Sequence, residues 1–285
     1  MISKNMLFTQ LRRGLLSIRF AIVVVLSLFL VGFQWWTMRH TGYRIQWHEP
    51  TFLDEVLLFA PDGSGTTLYL FLFPFLAALV GGSVLAVERR SGRLLLLQAR
   101  SSYGVVERTS LCSGFLLGSL GGVLPYVMSL VFSAVRNPHL TFIDGVESSD
   151  MEIRSFQYIL VSSESWIYPI YRLNQPLCIV VLGLLVAVIS GLFTCIAVAV
   201  SPFVKRGHVE VLVPVAFMLL WWMLPVYVPH LPYTEDANPI LYLDVDSSRP
   251  WEAKTANLIG IAITLVGLPA ITAVLCWLQR RFHDR

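Results

Sequence analysis

Residues 176–200, PLCIVVLGLLVAVISGLFTCIAVAV, run for 25 positions without one charged side chain. A helix rises about 1.5 Å per residue, so this stretch is long enough to cross a hydrocarbon layer of about 30 Å. Lipid offers no partner to an unpaired backbone amide or carbonyl, and a helix satisfies those groups internally. Five further apolar segments qualify on the same grounds: residues 20–37, 67–87, 111–135, 211–228 and 257–278. The expectation is an all-α polytopic membrane protein with six transmembrane helices, organised as a single domain over residues 1–285. Composition agrees, because only 14% of the chain is charged against roughly 25% in soluble domains.

Arg12, Arg13 and Arg19 precede the first apolar segment, as they would in a signal peptide. The following GFQWWTMRH (residues 32–40) offers no small-x-small cleavage site, so a retained anchor is expected. Trp35 and Trp36 close one end of this segment and Trp277 closes the opposite end of the sixth, which suits interfacial rings. Trp221 and Trp222 lie deeper and read as packing residues.

Charge orients the helices. Fourteen of the 21 Lys and Arg residues fall in residues 1–19, 88–110, 201–210 and 279–285, whereas the alternate connections hold seven of them and 14 of the 18 acidic residues. Cationic connections are retained in the cytoplasm. This predicts a multi-pass protein of the cell (plasma or inner) membrane with both termini inside.

The apolar segments hold little chemistry. All six histidines (His40, His48, His139, His208, His230 and His283) fall in loops or at segment ends, and no Asp, Glu, Lys or Arg sits at a segment centre. That weighs against a proton-coupled carrier, which needs a titratable relay. The HEP at His48 lacks the second histidine of HExxH, the serines of GSG (63–65) and GGS (81–83) have no facing histidine, and no GxxxxGK phosphate loop exists. Cys112, Cys178, Cys195 and Cys276 have no metal-ligand spacing and read as small core side chains. The expectation is a chain that is not an enzyme and carries no cofactor, no metal and no nucleic-acid partner. Gly114 and Gly118 make a GxxxG, which permits close helix approach inside a bundle or across a dimer.

Before the first segment, Leu7, Leu11, Leu15 and Ile18 recur at helical spacing, with Gln10, Arg12, Arg13 and Ser17 on the other side. This predicts an amphipathic helix in the membrane interface over residues 1–19, its arginines toward lipid phosphates or a partner; a plain positive anchor is the alternative. On the acidic side, residues 136–175 form the longest loop, with DGVESSDME (144–152) followed by FQYILVSSESWIYPIY (156–171). That apolar stretch, and TFLDEVLLFA (51–60), are expected to rest on the outer interface or on a partner subunit. NPILYLDVDSSRPW (238–251) is expected to dip into the outer leaflet as a re-entrant hairpin.

One basic connection carries more than retention requires. VERRSGRLLLLQARSSYGVVERTS (87–110) packs five arginines and two glutamates around four consecutive leucines. Glu88, then Gly92, then Leu95, Leu96 and Leu97, then Ala99 and a charged helical start with Glu107 and Arg108 resemble the ABC-2 type permeases, the membrane subunits of type II ABC exporters. In that family the loop after span two reads as a glutamate, Gly-Thr or Gly-Ser, an apolar cluster and Ala-x-Pro. The basic N-terminal helix, the six spans, the Asn238-Pro239-Tyr242 segment and the basic terminus QRRFHDR extend the resemblance. The chain departs from it at Arg93 (usually Thr or Ser), Ser101 (usually Pro), Thr109-Ser110 (usually Gly-Lys) and Gln10 (often Glu).

The resemblance implies an export permease that pairs with a second copy of itself or a related permease. A separate ABC ATP-binding subunit would hold ATP and Mg2+. It also implies that Glu88, Arg89, Arg90, Gly92, Arg93, Leu95, Leu96, Leu97, Glu107 and Arg108 form a cytoplasmic coupling helix. Physically, the leucines would fill a groove on the ATPase while Arg89, Arg90, Arg93 and Glu107 set orientation at the rim. Two alternatives stand beside it: arginines that only hold the loop inside and bind anionic headgroups, and a non-transporting scaffold or sensor that binds partners through its outer loops. Drug, antimicrobial peptide, lipid-like molecule and metalloenzyme-maturation cargo all remain open as substrates.

Overall fold

In the computed structural model, which describes residues 3–41, 52–60, 63–137, 161, 165–204, 208–228, 238–245 and 254–283, each long apolar run is a helix. In chain order the elements are α1 (Lys4–Leu15), α2 (Ile18–Thr41), α3 (Gly65–Gly81), α4 (Val84–Arg90), α5 (Arg93–Arg100), α6 (Tyr103–Arg136), α7 (Tyr168–Leu173), α8 (Gln175–Val200), α9 (Val213–Tyr227), α10 (Pro239–Leu243) and α11 (Lys254–His283). Six helical stretches are long and apolar enough to cross a membrane: α2, α3 continued by α4, α6, α8, α9 with the 3-10 turn Val209–Val211 before it, and α11. They coincide with the six segments expected from the sequence. The fold is thus an all-helical bundle compatible with a multi-pass membrane protein.

The 34 residues of α6 amount to about 50 Å of helix, well beyond a hydrocarbon thickness of about 30 Å. Its first turns, with Glu107, therefore project past one end of the apolar bundle. α1, α4, α5 and the last turns of α11 gather at that same end, tied by Arg13 to Glu88 and by Arg280 to Glu107. The first and last helices and the arginine-rich connection thus share one basic end of the bundle.

The second span is central, with 67% of its apolar window buried, against 22% for α9 and for α11. Glycine makes the centre possible. A Cβ on Gly81 of α3 would run into the carbonyl oxygen of Gly114 in α6, one on Gly118 into the Thr194 side chain of α8, and one on Gly122 into Ser190. The α3 and α6 backbones therefore touch, and the Val198, Thr194 and Ser190 side chains of α8 seat against the α6 glycines, so the GxxxG serves packing within the chain. Tyr69 and Tyr126 fill the remaining depth and donate to the Gly122 and Ile179 carbonyls at 2.8 and 3.0 Å. Cys178 and Cys276 are buried, Cys112 and Cys195 half-buried, and all four are free thiols.

At the far end the structure corrects one expectation. Residues 52–60 do not lie on an interface or await a partner: Leu53, Val56, Leu57, Leu58 and Phe59 are fully buried in the chain's own core. Buried backbone polar groups need partners, and they have them: Leu57 N–H donates to Ser129 Oγ at 3.3 Å, Leu58 N–H to Thr66 Oγ1 at 3.2 Å, and Val245 N–H to Leu58 O at 3.2 Å. Glu55, also buried, pairs with Arg136 at 2.8 Å.

The other far-end stretches are likewise drawn inward where they are described. Asn238 caps α10 by accepting from Ile240 N–H at 3.0 Å, and Tyr242 and Leu243 enter the core. Trp166 donates to Tyr242 O at 2.8 Å, while Ile167 and Tyr171 pack below it. The acidic run 144–152, residues 156–160 and 162–164, and the return limb of the expected hairpin (246–251) lie outside the described residues. Trp221 packs edge-on against Phe217 and against the core, as expected of a packing residue, whereas Trp222 meets Phe71 edge-on but is 48% exposed, so it is only partly a packing residue.

Candidate functional site

The connection between the second and third spans is one short helix, α5, set between two sharp changes of direction. α4 ends at Arg90, and Gly92 takes the left-handed conformation (φ 71°) with no atom within 4 Å of where a Cβ would be. Glycine is needed there for its backbone and not for space. α5 then runs from Arg93 to Arg100. Ser101 is extended at φ −154°, with its N–H on Leu97 O at 2.9 Å and its hydroxyl on the same carbonyl. Proline holds φ near −65° and has no N–H, so Ser101 could not be replaced by the family's proline without rebuilding this corner. The departure from the pattern thus has a local structural reason.

α5 turns one face to the bundle and one away. Leu94 and Leu97 pack against the buried cluster of Leu85, Val106 and Val198, as Met6 and Leu111 do, whereas Leu96 is 69% exposed. The expected groove-filling trio is therefore divided: Leu97 holds α5 onto the bundle and Leu96 points outward. The Leu95 side chain lies outside the described residues.

The charged residues of the stretch separate in the same way. Arg93 and Arg108 are exposed. Arg89 donates to the Pro202 carbonyl at 2.6 Å, just beyond α8. Arg90 donates to both oxygens of Glu210 at 3.0 Å, and Glu210 is fully buried. Glu88, 6% exposed, accepts from Arg13 at 3.3 Å. Glu107, 1% exposed, accepts from Arg280 Nε and Nη2 at 3.0 and 2.6 Å. Contrary to the expectation from sequence, Glu107 does not stand on a rim; with Glu88 it anchors the connection from inside.

α1 also differs from the expected interfacial arrangement. Leu7 and Leu11 are half-buried and Leu15 and Ile18 are exposed, as are Arg12 and Arg13. However, Gln10 is not on a water-facing side. It is 3% exposed, donates to Ser110 Oγ at 3.2 Å and accepts from Ser113 Oγ at 2.7 Å on α6. Ser3 N–H adds a bond to Thr109 Oγ1 at 3.2 Å, and Gly14 abuts Leu117. A charged glutamate in place of Gln10 would find two serine hydroxyls and no cation in these contacts. Gln10 and the Thr109-Ser110 pair, both departures from the family pattern, therefore face each other and form one buried polar seam.

No family model, curated protein or solved structure matches this chain.

What the basic end offers is thus read from its own geometry. Three carboxylates, each nearly or fully buried, are each held by an arginine from another part of the chain. They fasten α1 to α4, the turn before α9 to α4, and α11 to α6. Among the described residues no group of His, Cys, Asp and Glu is placed to hold a metal ion. The outward surface left on α5 carries exposed Leu96 on the same short helix as exposed Arg93, an apolar tip with a cation on its own element. Arg280 and Glu210 escaped the sequence reading because nothing in their neighbourhoods marks them. The available signal was scarcity, since the four basic connections contain only Glu88, Glu107, Glu210 and Asp284 as acids.

Proposed function

We propose that the chain is the membrane subunit of an ABC-2 type exporter, working as a pair of permease subunits and powered by a separate ATP-binding subunit docked at α5. The observation that carries this reading is the exposed Leu96 on a short helix whose other face is cemented to the bundle. Force applied to a loosely tethered loop would be lost in its motion. Applied to α5, it passes through Leu94 and Leu97 into α4, α6 and α8, and through Arg13, Arg90 and Arg280 into α1, the turn before α9, and α11. With no phosphate loop in its sequence, the chain needs its energy from a partner. The family resemblance of residues 87–110 supplies the identity of that partner; both termini are assigned to the cytoplasm on the cationic bias of the basic end, and α1 to the interface there.

Solubilised from its native membrane in mild detergent, the tagged chain is expected to bring down an ATP-hydrolysing subunit in about equal amount. Recovery of the chain without any ATP-binding protein, or with only regulatory or structural partners, would favour the scaffold reading and overturn this one.

A further inference from the structure

A second feature of the basic end is independent of α5. Arg19 in the first turn of α2 donates to the Ser83 hydroxyl, between α3 and α4, and its Nη2 lies 3.2 Å from His208 Nδ1. Arg90 Nη1, from the end of α4, lies 3.2 Å from the same nitrogen. Two guanidinium groups thus converge on one imidazole, and both contacts are exposed. Because Nδ1 faces two obligate donors it must accept, which leaves the ring hydrogen on Nε2. His208 itself takes a left-handed backbone conformation (φ 66°) that is uncommon outside glycine.

The charge here is not balanced. Glu210 is engaged by Arg90 through both oxygens, and Glu88 is engaged by Arg13. Among the described residues no carboxylate lies within ion-pair distance of Arg19. Two guanidinium groups held together with one carboxylate leave a net positive site with unused N–H donors, the arrangement that recognises phosphate oxygens. Its surroundings are apolar: Ile18 and Ile22 of α2 and Leu212 before α9 are 75%, 43% and 54% exposed. The site also lies where the apolar run of α2 begins, which is headgroup level in a membrane.

We propose that Arg19, Arg90 and His208 form a binding site for the phosphate of an anionic phospholipid, whose acyl chains lie along the exposed residues of α2 and the start of α9. The apolar flank selects a lipid over a soluble phosphate, because a free anion gains nothing from Ile22 and Leu212. A lipid held here would bridge α2, α4 and the turn before α9. This inference rests on the membrane reading of the six helices and not on the ATPase partner.

The test uses the full purified chain in nanodiscs of phosphatidylcholine with and without phosphatidylglycerol, reading co-retained lipid by native mass spectrometry and thermal stability in parallel. Wild type is expected to retain phosphatidylglycerol selectively and to unfold at higher temperature with it. Arg19→Gln should weaken that retention about five-fold, the value of one cation at an anionic surface. Arg172→Gln, which removes an exposed cation on α7, should leave it unchanged. His208→Asn, which tolerates the left-handed backbone, should act like Arg19→Gln and serves if that variant fails to fold. Equal retention by Arg19→Gln and wild type, equal loss in Arg172→Gln, or the same stabilisation from inorganic phosphate in pure phosphatidylcholine would each overturn the proposal.

Discussion

Leu96→Asp is expected to leave the chain inserted, folded and thermally unchanged while the ATP-binding subunit no longer stays on it. Leu96 is 69% exposed, and surface substitutions of this kind shift stability by only about ±0.5 kcal/mol. The damage falls on whatever covers the position. An apolar tip seated in a groove is a central contact of the hot-spot kind, worth about 2 kcal/mol or more, so affinity should fall by about 30-fold at least. A carboxylate forced into that groove adds a desolvation cost. The readouts are the ATPase retained per tagged chain and the ATP hydrolysis of the reconstituted complex. Leu97→Asp is the contrasting variant: because Leu97 packs on Leu85, Val106 and Val198, that change should lower expression and melting temperature. Glu88→Ala separates function from folding less cleanly, since it also frees Arg13 and loosens α1.

The second large effect concerns the anchors. Arg280→Ala is expected to destabilise the protein more than Glu107→Gln, although both break the same ion pair. The Arg280 side chain is 49% exposed, against 2% for Glu107. Without its carboxylate, Arg280 turns to water at little cost, and the introduced glutamine amide keeps part of the hydrogen bonding. Removing Arg280 strands a buried carboxylate. The cost of orphaning one partner of a buried pair is about 3–5 kcal/mol, whereas Glu107→Gln should cost about 1 kcal/mol. The same asymmetry applies to Arg90 and Glu210, with side-chain exposures of 34% and 0%. Thermal unfolding of the purified variants in one detergent gives the order directly. If Glu107→Gln proves the more damaging, Glu107 is not held by Arg280 in the way described. The double variant Arg280→Leu with Glu107→Leu should recover much of the loss, because an apolar pair in that space leaves no buried charge.

The six helices were legible because a membrane-spanning run declares itself by length and lack of charge, as in residues 176–200. The charged residues at their ends were legible as retention signals and little more. Counting places Glu88 and Glu107 in a basic connection, and spacing puts Leu95, Leu96 and Leu97 on a short helix. Neither reveals that Arg13 lies 75 positions from its partner and Arg280 lies 173 positions from its own, since pairing across the bundle depends on how helices stack. Periodicity also misjudged Gln10. Its helix reads as leucines against polar residues, yet the polar residue turns inward because Ser110 and Ser113 on α6 offer hydroxyls where lipid offers none. Residues 52–60 depart from expectation for a similar reason: an apolar stretch between spans can be covered by the chain itself, and hydropathy does not distinguish that from cover by lipid or a partner.

The most direct test of the docking claim places a photo-crosslinking amino acid at position 96 or at position 94 and irradiates intact native membranes. The account predicts that position 96 traps an ATP-binding subunit, while position 94, packed against the cluster of Leu85, Val106 and Val198, gives only adducts within the chain. Trapping of lipid alone at position 96, or of the ATP-binding subunit equally well from position 94, would contradict it.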